Sequence, residues 1–276
     1  MNVDAEIYKD NNGLQKRDAC DVLDEFADKI HWKNHGDTSI DIGCGDGSVT
    51  MELLKRHIPL NYERLLGCDI SEKMVKYCVE HHSDERTNFA VMNIEGDLPG
   101  HLREGFDHAF SFYAMHWIRD QERAFSNIFD LLKPGGDCLV MFLGRMPMFD
   151  VYRVMSRNNK WSAMLADVDQ YISPYHDSPD PEKEIAKMME KIGFKNIEVQ
   201  NIQKRFYYDD IDHFKKAVAA VNPFKIPKDM NDEYINDYLQ VLRDMRIVDN
   251  GNSDLQDRVT TEGVYCIIVV YGSKNS

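Results

Sequence analysis

The chain has 276 residues, 43% of them hydrophobic and 29% charged, a composition that builds a globular body and not a disordered one. Forty-seven acidic residues against thirty-three basic ones give a formal net charge of −14, whereas a general binder of nucleic acid or anionic membrane would carry a concentrated basic face. No apolar run approaches the ~18 residues that cross a bilayer. The opening segment MNVDAEIYKDNNGLQKRD lacks the apolar core of a signal peptide. Six scattered cysteines without a C-x-x-C pair suit a reduced, cytoplasmic protein.

In chain order, Ala19, Val22, Leu23, Phe26, Ala27 and Ile30 recur at helical spacing and predict an amphipathic helix over 14–31. His31 and His35 have the i,i+4 spacing of a zinc-binding helix. No Glu lies between them, no third ligand is evident and Gly36 follows at once, so solvated histidines are the better reading and no metal is expected. Residues 38–43 read as a first strand ending in glycine, with a helix over 48–57 behind it. A second strand spans 64–69, and Ser71 caps a helix that turns Met74, Val75 and Cys78 inward. Strands follow at 87–94 and 106–112. A helix over 119–132 is stopped by Lys133-Pro134-Gly135-Gly136, before a fifth strand at 137–144.

Strands alternating with helices of roughly 10–15 residues predict an α/β fold with a doubly wound, mostly parallel sheet. The stretch 145–182, rich in Met, aromatics and Pro, reads as a helical insertion. A helix at 181–193, a strand at 194–202, helices at 210–220 and 231–247 and a last strand at 263–272 complete a Rossmann-like sheet of seven strands. No stretch resembles a linker. The expectation is one domain over 1–276, with an N-terminal helical lid (1–36) and cap insertions at 145–182 and 205–258.

The glycine cluster Asp41-Ile-Gly43-Cys-Gly45-Asp-Gly47-Ser48 lies where the first strand turns into a helix. A dinucleotide fingerprint G-x-G-x-x-G counted from Gly43 would need glycine at 48, where serine stands. The spacing D-x-G-x-G-x-G instead resembles class I S-adenosylmethionine-dependent methyltransferases. Charge separates the two cases. A pyrophosphate is best served by helix N-terminal amides free of nearby anions, while a sulfonium and an ammonium accommodate Asp41 at the strand tip. Gly43 and Gly45 let the backbone approach that ligand. Asp69 ends the second strand, where an acid accepts both ribose hydroxyls. Asn93 and Ile94, at the end of the third strand, and Ser111, at the end of the fourth, complete the expected cofactor set with Ile70; the Asn93 amide suits the adenine edge and Ile94 its face. A doubly wound fold binding some other nucleotide remains the alternative.

Several segments carry a closer likeness. LQKRDA (14–19), DIGCGDGSVT (41–50), GCDISEKMVKY (67–77), NIEGDL (93–98), FDHAFSFYAMHWIRDQERAF (106–125), FDVYR (149–153), ISPYHD (172–177), GFKNIEVQ (193–200) and NPFKIPKD (222–229) resemble the insect juvenile hormone acid O-methyltransferases. The resemblance implies esterification of farnesoic acid or juvenile hormone acid, with S-adenosylmethionine converted to S-adenosylhomocysteine. It also implies that Gln15 and Trp117 position the substrate carboxylate. A carboxylate is ionised and nucleophilic at neutral pH, so the reaction needs placement and no general base. His116 is therefore read as a packing residue.

Taken alone, Gln15 is a polar residue early in an amphipathic helix and Trp117 a core aromatic. For the apolar chain of the acid, Met115, Met146, Met148, Phe149, Trp161, Met164 and Tyr171 are candidates, of which Met115 and Phe149 are the expected lining. Methylation of another lipophilic acid such as a fatty acid, and an idle paralogue that merely binds such acids, stay open as alternatives. A homodimer is expected because two-fold assemblies are the commonest.

Overall fold

Seven strands form one sheet in the order β3-β2-β1-β4-β5-β9-β6, and every neighbouring pair is parallel except those made by β9, which runs antiparallel to both β5 and β6. The structure, a computed structural model, describes residues 9–33, 36–208, 210–245, 259–260 and 264–276. The strands are β1 (Thr38–Ile42), β2 (Arg64–Asp69), β3 (Thr87–Val91), β4 (Phe106–Phe112), β5 (Leu132–Leu143), β6 (Lys195–Lys204) and β9 (Tyr265–Ser273); β7 (Tyr207–Tyr208) and β8 (Val259–Thr260) pair separately. The helices are α1 (Gly13–Phe26), α2 (Lys55–His57, continuing a wide π turn at Thr50–Leu54), α3 (Glu72–His82), α4 (Gln121–Leu131), α5 (Pro147–Ser156), α6 (Pro181–Ile192), α7 (Ile211–Val221) and α8 (Asn231–Asp244). No described helix is long and apolar enough to cross a membrane.

The central strands β1 and β4 are buried along their whole length, as strands covered by helices on both faces are. Alternation along each strand divides the core. Ala109, Cys138, Val140, Phe142, Ile268 and Val270 face α4 and α6. Their neighbours Phe110, Phe112, Leu139, Met141, Ile267 and Val269 face α1 and the cap helices α5, α7 and α8. Helix starts are written locally. The side chains of Ser71, Asp120, Asp180 and Asp210 accept the N–H of Met74, Arg123, Lys183 and His213 respectively.

Several boundaries differ from the sequence reading. The first helix ends at Phe26, and a tight turn over Ala27–Lys29 delivers a still-buried Ile30 in extended form. Lys133-Pro134-Gly135-Gly136 lies inside β5. Its signal appears as a register shift, Phe106 pairing with Leu132 and His108 with Asp137, around Gly135 at φ +83°. In the stretch 145–182 the regular α-helix ends at Ser156 and turns follow, with a 3₁₀ turn at Val168–Tyr171. The last helix ends at Asp244, and the remainder of its expected range falls partly outside the described residues.

Candidate active site

The C-terminal ends of β1, β2 and β4 open into a cavity roofed by α1 and the cap, at the edge where doubly wound sheets bind ligands. Its floor is backbone. Gly43, at φ +77°, donates its N–H to the Cys68 carbonyl at 2.7 Å, and a Cβ there would lie 2.2 Å from that of Ala114. The glycine is thus required by the turn after β4 as well as by any ligand. Gly45 donates its N–H to Asp69 Oδ2 at 3.0 Å and Ser71 donates to Oδ1 at 2.8 Å, fixing both carboxylate oxygens. Burial pushes Asp69 above the usual carboxylate range. Gly43, Gly45, Asp69 and a 62% exposed Ile70 all line the cavity.

The other expected cofactor residues lie elsewhere. Asp41 is 2% exposed, accepts the Thr50 hydroxyl at 2.6 Å and stands behind the lining, where burial and then the Asp69 charge push it up to about 7. Asn93 is exposed, with Oδ1 accepting the Glu95 N–H; Ile94 is buried in the α4 layer; and Ser111 donates to the Ile42 carbonyl at 2.7 Å. None of these three lines the cavity.

Asp46, which the sequence reading passed over, does line it. The Ser48 hydroxyl donates to Oδ1 at 2.9 Å, while Oδ2 is buried without a partner. A third acid inside a glycine turn already expected to face positive charge was the available signal. Asn12 ties the start of α1 to this loop through Ser48 Oγ at 2.7 Å.

Gln15 and Trp117 meet at this cavity although they are far apart in sequence. Gln15, 9% exposed on α1, has a buried Oε1 with no partner. Trp117 ends the 3₁₀ turn Met115–Trp117 after β4, and no described hydrogen bond uses its indole N–H. Its ring contacts His116 (centroids 4.6 Å), Phe149 (6.5 Å) and Tyr171 (6.4 Å). His116 also lines the cavity. Full burial pulls it down to about 3, so the ring is neutral, and its Nδ1 accepts the Leu143 N–H at 3.4 Å.

Met115 and Phe149, expected as lining, are not at the cavity surface. The 3₁₀ turn sends Met115 into the α4 layer on the opposite face of the sheet, and Phe149 is fully buried behind Trp117. The apolar wall comes instead from Leu143, Met146 and Met148 and from Phe214, Val218 and Tyr238 of the second insertion.

Asp18, fully buried, secures α1 over the site. It accepts the hydroxyls of Tyr113 (2.6 Å) and Tyr265 (2.8 Å) and the Arg17 guanidinium (2.7 Å). Among the described residues no group of three His, Cys, Asp or Glu could hold a metal; His35 lies outside them.

Comparison with known proteins agrees with this geometry. Residues 40–140 match a methyltransferase domain family model. The chain is 55% identical to juvenile hormone acid O-methyltransferase of Bombyx mori, over 98% of this chain and 97% of that protein. It is 36% identical to the Drosophila melanogaster protein of the same name, over 98% and 92%. Among solved structures, the YcgJ protein of Bacillus subtilis shares the fold with a TM-score of 0.59 at 16% identity, over 93% of this chain and 99% of that one. A glycine-rich turn set against a strand-end carboxylate, on this sheet order and with likeness along nearly the whole chain, makes the protein a member of the juvenile hormone acid O-methyltransferase family.

Proposed function

We propose that this protein is an S-adenosylmethionine-dependent carboxyl O-methyltransferase that esterifies juvenile hormone acid or farnesoic acid. The observation that carries the reading is a single cavity with a glycine turn and a fixed carboxylate at one end and, set in apolar walls at the other, Gln15 and Trp117, whose side-chain N–H groups no described hydrogen bond uses. The cofactor supplies a methyl group on a sulfonium; a carboxylate oxygen of the acid takes the methyl carbon, the C–S electron pair stays on sulfur, and no proton moves.

Asp69 receives the ribose hydroxyls while the Gly45 and Ser71 amides hold it still. The open oxygen of Asp46 is matched to the ammonium of the amino-acid end, and Ile70 offers a face to the base. Gln15 and Trp117 each offer an N–H to one oxygen of the acid. Neither carries charge, so neither holds the carboxylate as a salt bridge that would oppose transfer. Neutral His116 adds no competing cation and no base, in keeping with a reaction that needs none.

Incubating the purified protein with S-adenosylmethionine and each acid, with mass spectrometry of the products, tests the reading. The methyl ester is expected from both acids, with fatty acids converted at lower kcat/KM. A protein that binds S-adenosylhomocysteine but forms no ester from either acid would overturn it.

A further inference from the structure

The cap wall is almost entirely carbon. Phe214, Ala217, Val218 and Val221 present one face of α7 to the cavity, and Met148 joins them from α5. Tyr208 and Tyr238 interrupt this surface. Tyr208 packs edge-on between Phe206, whose ring carries the Arg17 guanidinium on its face, and Phe214, each at 5.0 Å, and so stands where α1 meets the first turn of α7. Tyr238 of α8 is only 2% exposed, yet it lines the cavity and no described hydrogen bond engages its hydroxyl.

Beside it, Tyr152 of α5 is fully buried with a hydroxyl that has no partner; the two rings meet edge-on at 6.1 Å. Tyr234 is already engaged, donating to Asn222 Oδ1 at 3.4 Å. Buried hydroxyls are paired as a rule; Tyr238 breaks it at the cavity wall and Tyr152 breaks it behind that wall, and at Tyr238 a ligand can complete the bond.

The pair stands away from the indole assigned to the carboxylate. Phe149 packs on Trp117, and Tyr152 lies about one helical turn further along α5. Phe224 links Tyr152 (4.9 Å) to Tyr171 (5.2 Å), which is one of the rings packed on Trp117. Aromatic rings thus separate two polar positions along a greasy channel.

We propose that Tyr238, flanked by Tyr152, is a second polar anchor of the substrate cavity, donating a hydrogen bond to an acceptor oxygen, an epoxide or ether, carried on the hydrocarbon chain away from the carboxylate. The inference rests on the acid-methylating function proposed above and adds a class of acid that it favours. Burial drives the Tyr238 phenol well above its ordinary value, so it keeps its proton and acts as a donor. An unsubstituted chain leaves that hydroxyl unpaired, and the penalty falls on the acid that lacks the oxygen.

The test compares kcat/KM for juvenile hormone acid, which bears an epoxide, with that for farnesoic acid, which does not, in the wild type and in Tyr238→Phe. The ratio of the two is expected to fall about 3–10-fold in the variant, the value of one neutral hydrogen bond. An unchanged ratio would overturn the anchor while leaving the methyltransferase reading intact. Calorimetry of both acids on the wild-type protein loaded with S-adenosylhomocysteine decides the matter independently of variant folding. Tighter binding of the epoxide acid is expected, and equal affinity would overturn the proposal. Ester from neither acid would instead count against the function, and the binding comparison would still judge the anchor.

Discussion

The two ends of the cavity are built in different ways. The glycine end is assembled from strand tips through the backbone: Gly43 to Cys68, Gly45 and Ser71 to Asp69, all within a short stretch of chain. The other end, to which the proposed function assigns the acid, is assembled from side chains on α1, the turn after β4, the start of α5, α7 and α8. A backbone site is fixed once the strands pair. A side-chain site depends on how the cap packs against the sheet, and it can change its ligand by changing residues without disturbing the fold.

The largest effect is expected where the backbone end is broken. Gly43→Ala places a Cβ 2.2 Å from Ala114 at a φ of +77°, and together overpacking and left-handed strain cost roughly 3–5 kcal/mol. Denaturant unfolding should register that loss. Adding Ala114→Gly should return the overpacking part and leave the backbone strain. A Gly43→Ala protein of wild-type stability would show that the turn is looser than its geometry.

Asp41 provides a pH-dependent measure of the same end. Burial raises its folded value to about 7 from an ordinary 3.8, so between those values the native state holds the proton that the unfolded chain releases. Stability from this group is therefore highest in acid, declines as pH rises from about 4 to about 7, and is flat above; the full difference is roughly 4 kcal/mol. Asn at this position still accepts the Thr50 hydroxyl and cannot ionise. The stability of Asp41→Asn minus wild type should thus grow from about pH 4 to about pH 7 and then level off. A difference independent of pH would mean that Asp41 is solvated as an ordinary carboxylate.

Asp69→Asn comes next. An amide presents donors where the Gly45 and Ser71 N–H groups already point, and it loses the anion that accepts the ribose hydroxyls. S-adenosylhomocysteine affinity is expected to fall about 100-fold by calorimetry, the value of one or two hydrogen bonds to a charged acceptor. A tenfold or smaller change would assign the ribose to another group.

The same contrast explains what the sequence could convey. The alternation of strands and helices, the glycine turn and the place of Asp69 at a strand end were legible because each is local: strand, turn and carboxylate follow one another at fixed spacing. Gln15 and Trp117 came only through resemblance, since nothing near either residue says that α1 folds across the end of β4. Met115 illustrates the limit. One step around a 3₁₀ turn separates it from His116 and Trp117, and that step sends its side chain through to the opposite face of the sheet. Phe214, Ala217, Val218 and Val221 do show helical spacing, but an apolar stripe does not say whether it meets a core or a cavity. Asp46 stands between two of the glycines, where its residue type alone does not say whether it faces a ligand or only caps the turn through Ser48.

The smallest expected effects belong to the acid-binding end, and they sharpen the contrast best. Trp117→Phe keeps a ring against Phe149 and Tyr171 and removes the indole N–H; Gln15→Ala removes the amide from α1. If they hold the acid as proposed, each variant loses one hydrogen bond to a carboxylate, and kcat/KM for the acid should fall roughly tenfold. S-adenosylhomocysteine affinity should stay within about twofold, because the Asp69 contacts lie on β2 and the glycine turn, which neither change touches. Parallel losses of cofactor affinity and acid turnover would mean that the two ends fold as one unit, with α1 holding both. The Asn12–Ser48 and Asp18–Tyr113 bonds are the routes by which such coupling would travel. Both anchor α1 through residues other than Gln15, so replacing Gln15 alone leaves them in place and the loss should remain confined to the acid.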